Sequence, residues 1–248
     1  IMKLQKLYRY VRQAADEYNL IEDGDKIAVA LSGGKDSITM LKALKNLQIF
    51  YPKKFELIAI SVNPGFDFFD SAFLQKTCDD IGVPFFEEKY DIKTIVFEDR
   101  KEKNPCSLCA NLRRGILNSA AKREHCNKLA LGHNLDDVLE TFLMNLFFAG
   151  SLSTFAPVTY MDRSGMTVIR PLVYTPEKET KRFVRKNNIS VMPKVCPMDG
   201  HSTREDMKNL IVSLSVKNPY VKASIIGAIK RNNINGWKDV AKHEKNNG

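Results

Sequence analysis

Two hydrophobic periods take turns along this chain. Lys26-Ile27-Ala28-Val29-Ala30-Leu31 is a short apolar run of the kind carried by a strand buried on both faces. Apolar residues then recur at Ile38, Leu41, Leu44 and Leu47, the stripe of an amphipathic helix. The alternation continues downstream. Phe55–Val62 reads as a second strand, closed by the turn Asn63-Pro64-Gly65. Phe68 to Ile81 reads as a helix, Pro84 to Tyr90 as a third strand and Cys109 to about His125 as a helix. Lys128–Gly132 follows as a strand and Leu135–Phe148 as a helix, and a basic amphipathic helix over Leu4–Leu20 precedes the whole series. Strands alternating with helices predict an α/β fold, a doubly wound parallel sheet covered on both faces. Ligands of such sheets sit beyond the carboxyl ends of the strands, so the segment after Leu31, Asn63 and His133 are expected to share one crevice.

After Gly150 the pattern changes. Pro157–Tyr160 and Thr167–Pro171 suggest two short strands around a turn at Asp162–Gly165. Pro176–Lys186 suggests a short helix with Thr175 as its cap and Pro176 at its first position. Two further helices are expected from Ser202 onward, the second starting at Asn218-Pro219, and Lys242–Gly248 reads as a disordered tail. No internal repeat is found.

The bulk numbers narrow the class. A chain of 248 residues suffices for one large domain, or one domain plus a small extension. It has no run of eighteen apolar residues and no signal-peptide pattern at its N-terminus, so a cytoplasmic protein without membrane contact is expected. The net charge of +9 suits a polyanionic partner without identifying one. Five cysteines, with no export signal, point away from a disulfide framework and toward metal binding or catalysis.

The first candidate for chemistry is Ser32-Gly33-Gly34-Lys35-Asp36-Ser37, between a strand and a helix. Glycines let the backbone bend and approach a ligand, and helix-start N–H groups face an anion with the dipole behind them. Lys35 adds a point charge, and Ser32 and Ser37 add hydroxyl donors. The spacing is not that of a Walker A loop. The second candidate is Gly132-His133-Asn134-Leu135-Asp136-Asp137-Val138-Leu139-Glu140-Thr141. Asp136 and Glu140 share a helix face, as do Asp137 and Thr141. Such acids can hold Mg²⁺ through oxygen, or simply complement the dipole in a first turn. The third is Pro105-Cys106-Ser107-Leu108-Cys109, a C-x-x-C at a helix start, where the thiolate is favoured. It fits a redox dithiol, half a zinc site, part of an iron–sulfur site, or two buried small side chains. Cys196 lies in a loop-like segment between Val195 and Pro197. Three cysteines on one [4Fe–4S] cluster would leave one iron open to sulfide.

The hexad resembles the pyrophosphate (PP) loop of the N-type ATP pyrophosphatases, and the Gly132–Thr141 segment resembles a motif of their tRNA-thiolating members. With the C-x-x-C, Leu112-Arg113-Arg114-Gly115 and Ile169-Arg170-Pro171-Leu172, the chain resembles the tRNA 2-thiocytidine synthetase family over most of its length. The resemblance implies an adenine nucleotide α-hydrolase-like PP-loop domain over 23–200, a preceding helix over 1–22 and a helical C-terminal extension over 201–248. It implies ATP, Mg²⁺ and a [4Fe–4S] cluster with Cys106, Cys109 and Cys196 as its ligands. The implied partners are tRNA, a cysteine desulfurase or other sulfide donor, and a second copy in a homodimer. It implies that Ser32, Gly33, Gly34, Lys35, Asp36, Ser37, Gly132 and His133 bind the nucleotide. Asp36, with Asp136 or Asp137, would place the metal or the nucleotide.

The implied reaction adenylates a tRNA base at its C2 oxygen, then inserts sulfur, most simply converting cytidine to 2-thiocytidine in the anticodon loop. Asp199 stands where typical members of that family carry the last cysteine of a second C-x-x-C, which bears on subfamily and target nucleotide. The paired-cysteine zinc modules usual in 2-thiouridine enzymes are not seen. The alternatives are thiolation of a tRNA uridine, a non-thiolating tRNA-modifying ligase of the same superfamily, and a non-catalytic redox-sensing RNA-binding protein. Cys78 and Cys126 read as core thiols. Arg113 and Arg114 fit RNA phosphates or a solvated face, and Arg170 fits ATP or RNA. Lys3, Lys6, Arg9 and Arg12 fit a tRNA contact or a charged outer face. His201 fits a ligand or a plain loop residue.

Overall fold

The computed structural model describes residues 5–66, 69–99, 105–193 and 203–238. The chain runs α1 (Gln5–Glu17), β1 (Asp25–Ala30), α2 (Lys35–Phe50), β2 (Phe55–Asn63), α3 (Ser71–Ile81) and β3 (Phe85–Lys89). A π-helical turn (Thr94–Asp99), α4 (Pro105–Arg123), β4 (Lys128–Ala130), α5 (Leu135–Phe148), β5 (Val158–Met161) and β6 (Met166–Ile169) follow. The chain then forms α6 (Glu177–Lys186), α7 (Thr203–Lys217), α8 (Val221–Arg231) and a 3₁₀ turn (Ile234–Gly236).

The six strands lie in the order β3-β2-β1-β4-β6-β5. Five are parallel, as expected, and β5 departs by pairing antiparallel with β6 at the edge. A short hairpin can only place its second strand antiparallel to the first, and the exposed Tyr160 fits an edge position. From β1 the chain steps outward through β2 and β3, then returns to place β4 on the other side of β1. The connections leaving β1 and β4 therefore diverge, and a crevice opens between them.

Strand alternation divides the core. Ile27, Val29, Leu57 and Ala59 face one side, where α1, α2, α3, α5, α6, α7 and α8 supply apolar partners. Ala28, Ile58, Ile60, Leu129 and Val168 face the other side, against Ala120 and Ala121 of α4. A small third cluster of Val62, Ile92 and Val96 packs beneath Leu108, Cys109 and Leu112. The far end of the described chain is tied in by Trp237, fully buried against Tyr18 and Tyr174 with ring centroids 5.8 and 5.9 Å away. No helix among the described residues is long and apolar enough to cross a membrane.

Several element boundaries differ from the sequence reading by a few residues, and three of them carry a physical reason. Helix α3 begins at Ser71 rather than Phe68, because the Asp70 side chain accepts from Phe73 N–H at 2.9 Å and caps it there. Helix α4 begins four residues before Cys109, with Pro105 at its first position. The assignment of Thr175 as the cap of α6 is corrected. Pro176 is the N-cap, Thr175 is fully buried, and the first N–H of the helix, on Glu177, donates to the Asp136 carboxylate at 2.6 Å. A carboxylate from another helix takes the role that the local sequence assigns to a hydroxyl. The tail at 242–248 lies outside the described residues.

Candidate active site

Leu31 is held to β2 by its N–H on the Ile60 carbonyl at 2.8 Å, and the chain then turns. Gly33 sits at φ +77°, and an added Cβ there would run into the Met192 side chain. Met192 N–H donates to the Gly33 carbonyl at 2.9 Å, so the strap after α6 lies on the loop. Ser37 is buried and braces the turn from inside. Its hydroxyl donates to the Gly34 carbonyl at 3.0 Å and accepts from Ser32 N–H at 3.2 Å. Gly34 is the N-cap of α2 with no side-chain cap, so the leading N–H groups of that helix are left for an anion.

Lys35 and Asp36 form a charged pair at the head of α2, at 2.6 Å. Lys35 also meets Glu177 at 3.0 Å, and Asp36 accepts from the Thr180 hydroxyl at 2.6 Å. Burial alone would lower the Lys35 pKa, but Asp36 and Glu177 outweigh it and raise the value. Glu177 shows the converse. Burial pushes its carboxyl up, yet Lys181, Lys35 and Lys208 together hold it down at about 2.

On the other wall, Gly132 follows β4 so closely that an added Cβ would lie 3.4 Å from Ser37 N. His133 packs on Phe155 with ring centroids 4.7 Å apart, and its Nδ1 is buried without a hydrogen-bond partner. Burial, followed by the charges of Arg170, Arg204 and Arg114, lowers its pKa to about 3, so the ring is neutral. Asn134 caps α5 in a capping box: its side chain accepts from Asp136 and Asp137 N–H, and Asp137 accepts from Asn134 N–H at 2.9 Å.

The two aspartates then diverge. Both oxygens of Asp136 are committed, one to Glu177 N–H and the other to Lys222 of α8. Asp137 senses Asp36 and Lys35 across the crevice, and burial is the main cause of its raised pKa. Arg204 of α7 lies 3.5 Å from both Asp137 and Glu140. Glu140 is buried and pushed up to about 7, first by burial and then by Asp137, with Arg204 opposing.

Residues 3–210 match the PP-loop domain family. The tRNA-cytidine(32) 2-sulfurtransferase of Geotalea uraniireducens is 43% identical over 222 residues, 88% of each chain. That of Syntrophotalea carbinolica is 40% identical over 228 residues, 91% of this chain and 88% of its own. The chain belongs to the PP-loop family, among the tRNA-cytidine(32) 2-sulfurtransferases. A U34-tRNA thiolase, NcsA from Methanococcus maripaludis, solved with its [4Fe-4S] cluster, superposes with a TM-score of 0.76 at 28% identity, covering 92% of this chain and 78% of that one. The NH3-dependent NAD synthetase of Campylobacter jejuni, at 16% identity and a TM-score of 0.50 over 94% of this chain and 96% of its own, shares the fold. The α/β architecture expected from the periodicity is thus that of the PP-loop proteins.

In this PP-loop chain the C-x-x-C occupies the opening of α4. Cys106 and Cys109 are three residues apart near the start of that helix. Cys109 is half-buried against Val62, Ile92 and Val96, at the carboxyl end of β2. The side chain of Cys106, and all of Cys196, Asp199 and His201, lie outside the described residues. Among the described residues no group of three His, Cys, Asp or Glu is placed to hold a metal. A pair of cysteines spaced C-x-x-C at a helix start fits the sulfur ligation of an iron–sulfur cluster. Met192, four residues before Cys196 in the sequence, touches Gly33 at the same sheet end. Cys78 and Cys126 are buried core thiols, as expected, and burial pushes them up to about 12 and about 11.

Glu177, Thr180, Met192 and Arg204 were not singled out from the sequence. Of these, only Glu177 carries a local signal, an acid in a first helical turn.

Proposed function

We propose that this protein is an ATP-dependent tRNA sulfurtransferase that converts a cytidine of the anticodon loop, position 32 as in the relatives, to 2-thiocytidine. The observation that carries it is a juxtaposition at one sheet end. The phosphate loop after β1 and the C-x-x-C opening α4 both lie there, in a chain 43% identical to tRNA-cytidine(32) 2-sulfurtransferases.

The residues divide the work. The leading N–H groups of α2, with Lys35, bind the β- and γ-phosphates of ATP and take up the charge of departing pyrophosphate. Ser32, Gly33, Gly34 and Ser37 fix the shape of that cradle. Asp36 and Asp137, on the two walls of the crevice, would supply oxygen ligands for Mg²⁺. Asp136 acts through α6: it caps that helix and so sets Glu177 against Lys35. Gly132 lets the β4 wall close on the nucleotide, and His133 offers a neutral ring beside it.

The C2 oxygen of the base attacks the α-phosphorus, the bond to pyrophosphate breaks, and the base carries AMP on oxygen. Sulfide then adds at C2, and the C2–O bond breaks as AMP leaves with the former carbonyl oxygen. Cys106, Cys109 and Cys196 would hold a [4Fe–4S] cluster, which when bound supplies an iron position open to sulfide. A flexible RNA loop presents its base at low unstacking cost. Sulfide comes from a cysteine desulfurase or an equivalent donor. The exposed Leu146, Phe147, Phe148 and Leu152 give an apolar surface suited to a homodimer contact.

The test is nucleoside mass spectrometry on tRNA incubated with the anaerobically reconstituted protein, ATP, Mg²⁺ and sulfide. Appearance of 2-thiocytidine supports the assignment, and Cys106→Ala should abolish it while leaving ATP binding intact. A thiouridine instead would keep the mechanism and move the base. No thionucleoside, with ATP still consumed, would leave a non-thiolating ligase.

A further inference from the structure

Arg170, at the carboxyl end of β6, is a cation in an unusual position. It is 8% exposed, and its hydrogen-bond partners are neutral: the Ala156 carbonyl at 2.6 Å and the Thr159 hydroxyl at 3.1 Å. Its guanidinium lies over Phe155, 5.1 Å from the ring centroid, and its Nε is buried with no partner. Among the described residues no carboxylate pairs with it. Burying a charge without a counter-charge is costly, and a protein normally pairs such a group.

The charge that acts on it is a second cation, Arg114 of α4. Arg114 is exposed and hydrogen-bonds to Asn111 rather than to an acid. His133, neutral and with Nδ1 idle and buried, stands between this pair and the phosphate loop, on the same Phe155 ring that Arg170 covers. A buried arginine, an exposed one and two idle nitrogens thus lie where no described acid pairs with either arginine.

We infer that Arg114 and Arg170, with His133 as a neutral wall, form a phosphate site that holds the RNA backbone beside the base being modified. The inference rests on the proposed function. The phosphate loop already accounts for the polyphosphate of ATP, and Arg170 stands two strands away from it, about 10 Å at ordinary strand spacing. Arg114 lies on α4, the helix that opens with the cysteine pair, five residues past Cys109. A guanidinium fork presents parallel donors to phosphate oxygens, and stacking on Phe155 fixes its plane.

The experiment compares wild type, Arg114→Ala and Arg170→Lys for binding of a tRNA transcript across a salt series, and separately for ATP binding. Arg114 is exposed, so its removal leaves the fold intact, and thermal melting checks Arg170→Lys. Arg114→Ala should bind tRNA about tenfold more weakly and flatten the log K against log salt slope by about 0.7–1, the signature of one lost phosphate contact, whereas Arg170→Lys, which keeps its charge and loses the guanidinium fork, should weaken binding with the slope unchanged. ATP affinity should be unchanged. If ATP affinity falls and tRNA binding does not, the phosphate is the nucleotide's and the inference is overturned. It is also overturned if neither changes, or if the wild type binds no tRNA. Because the readout is binding, a protein that holds tRNA through these arginines yet makes no thionucleoside would defeat the proposed reaction and leave this site standing.

Discussion

Glu177, the first residue of α6, holds the ammonium of Lys35 at 3.0 Å, so the lysine of the phosphate loop is aimed from a helix far along the chain. The same helix start is capped by Asp136, and its Thr180 bonds to Asp36. The loop is therefore set by α6 as much as by its own glycines. Replacing Glu177 by Gln removes a charge-assisted bond, and the KM for ATP should rise about tenfold, the equivalent of a bond of roughly 1.5 kcal/mol. Steady-state kinetics check this; an unchanged KM would mean that Lys35 finds its position unaided.

Gly33 and Gly34 should respond differently to alanine. Gly33 sits at φ +77° with Met192 in the way of a side chain, whereas Gly34 sits at φ −78° and an added Cβ would meet Ser32 Oγ at 3.5 Å. Gly33→Ala should cost about 1–2 kcal/mol from the backbone alone, with the Met192 strap displaced in addition. Gly34→Ala should leave stability near wild type. Chemical denaturation of the two variants separates them.

Glu140 gives a pH signature. Its pKa stands near 7 in the folded chain, above the ordinary carboxylate value, so folded protein keeps a proton that the unfolded chain releases. Stability should fall as pH rises from about 4.5 to 7, with the full penalty present above that window. Glu140→Gln should flatten melting temperature against pH in that range. Arg204→Ala should deepen the loss, because the nearby guanidinium favours the carboxylate.

Thiol labelling sorts the cysteines by chemistry. Cys78 and Cys126, with pKa values near 12 and 11, should resist alkylation at pH 8 in the folded protein and react on unfolding. Cys106 and Cys109, at a helix start, should react first in cluster-free protein. Peptide mass spectrometry reads the order, and early modification of Cys78 would contradict it.

Much of this architecture is legible from local pattern. The strand over Asp25–Ala30 and helix α2 are each specified by their own periodicity, and the turn between them by Gly33, whose positive φ the structure requires. The Asn134 cap is a local motif as well. What escapes is contact made through tertiary packing. Nothing near Glu177 announces Lys35, because α6 meets α2 only once the sheet is assembled. Thr175 and Pro176 obey the local rules for a helix start, and a carboxylate from α5 overrides them. The roles of Asp136 and Asp137 look interchangeable in sequence. They separate only when Lys222 and α6 claim the first and leave the second facing the loop.

Tyr18 shares a 2.7 Å hydroxyl contact with Tyr174, and both pack on Trp237. Residue 18 thus completes its surroundings only when residue 237 arrives. During synthesis Tyr18 must wait for this last neighbour until nearly all of the described chain has left the ribosome. The interval between those two events leaves that aromatic cluster incomplete, and its length is set by the speed of translation.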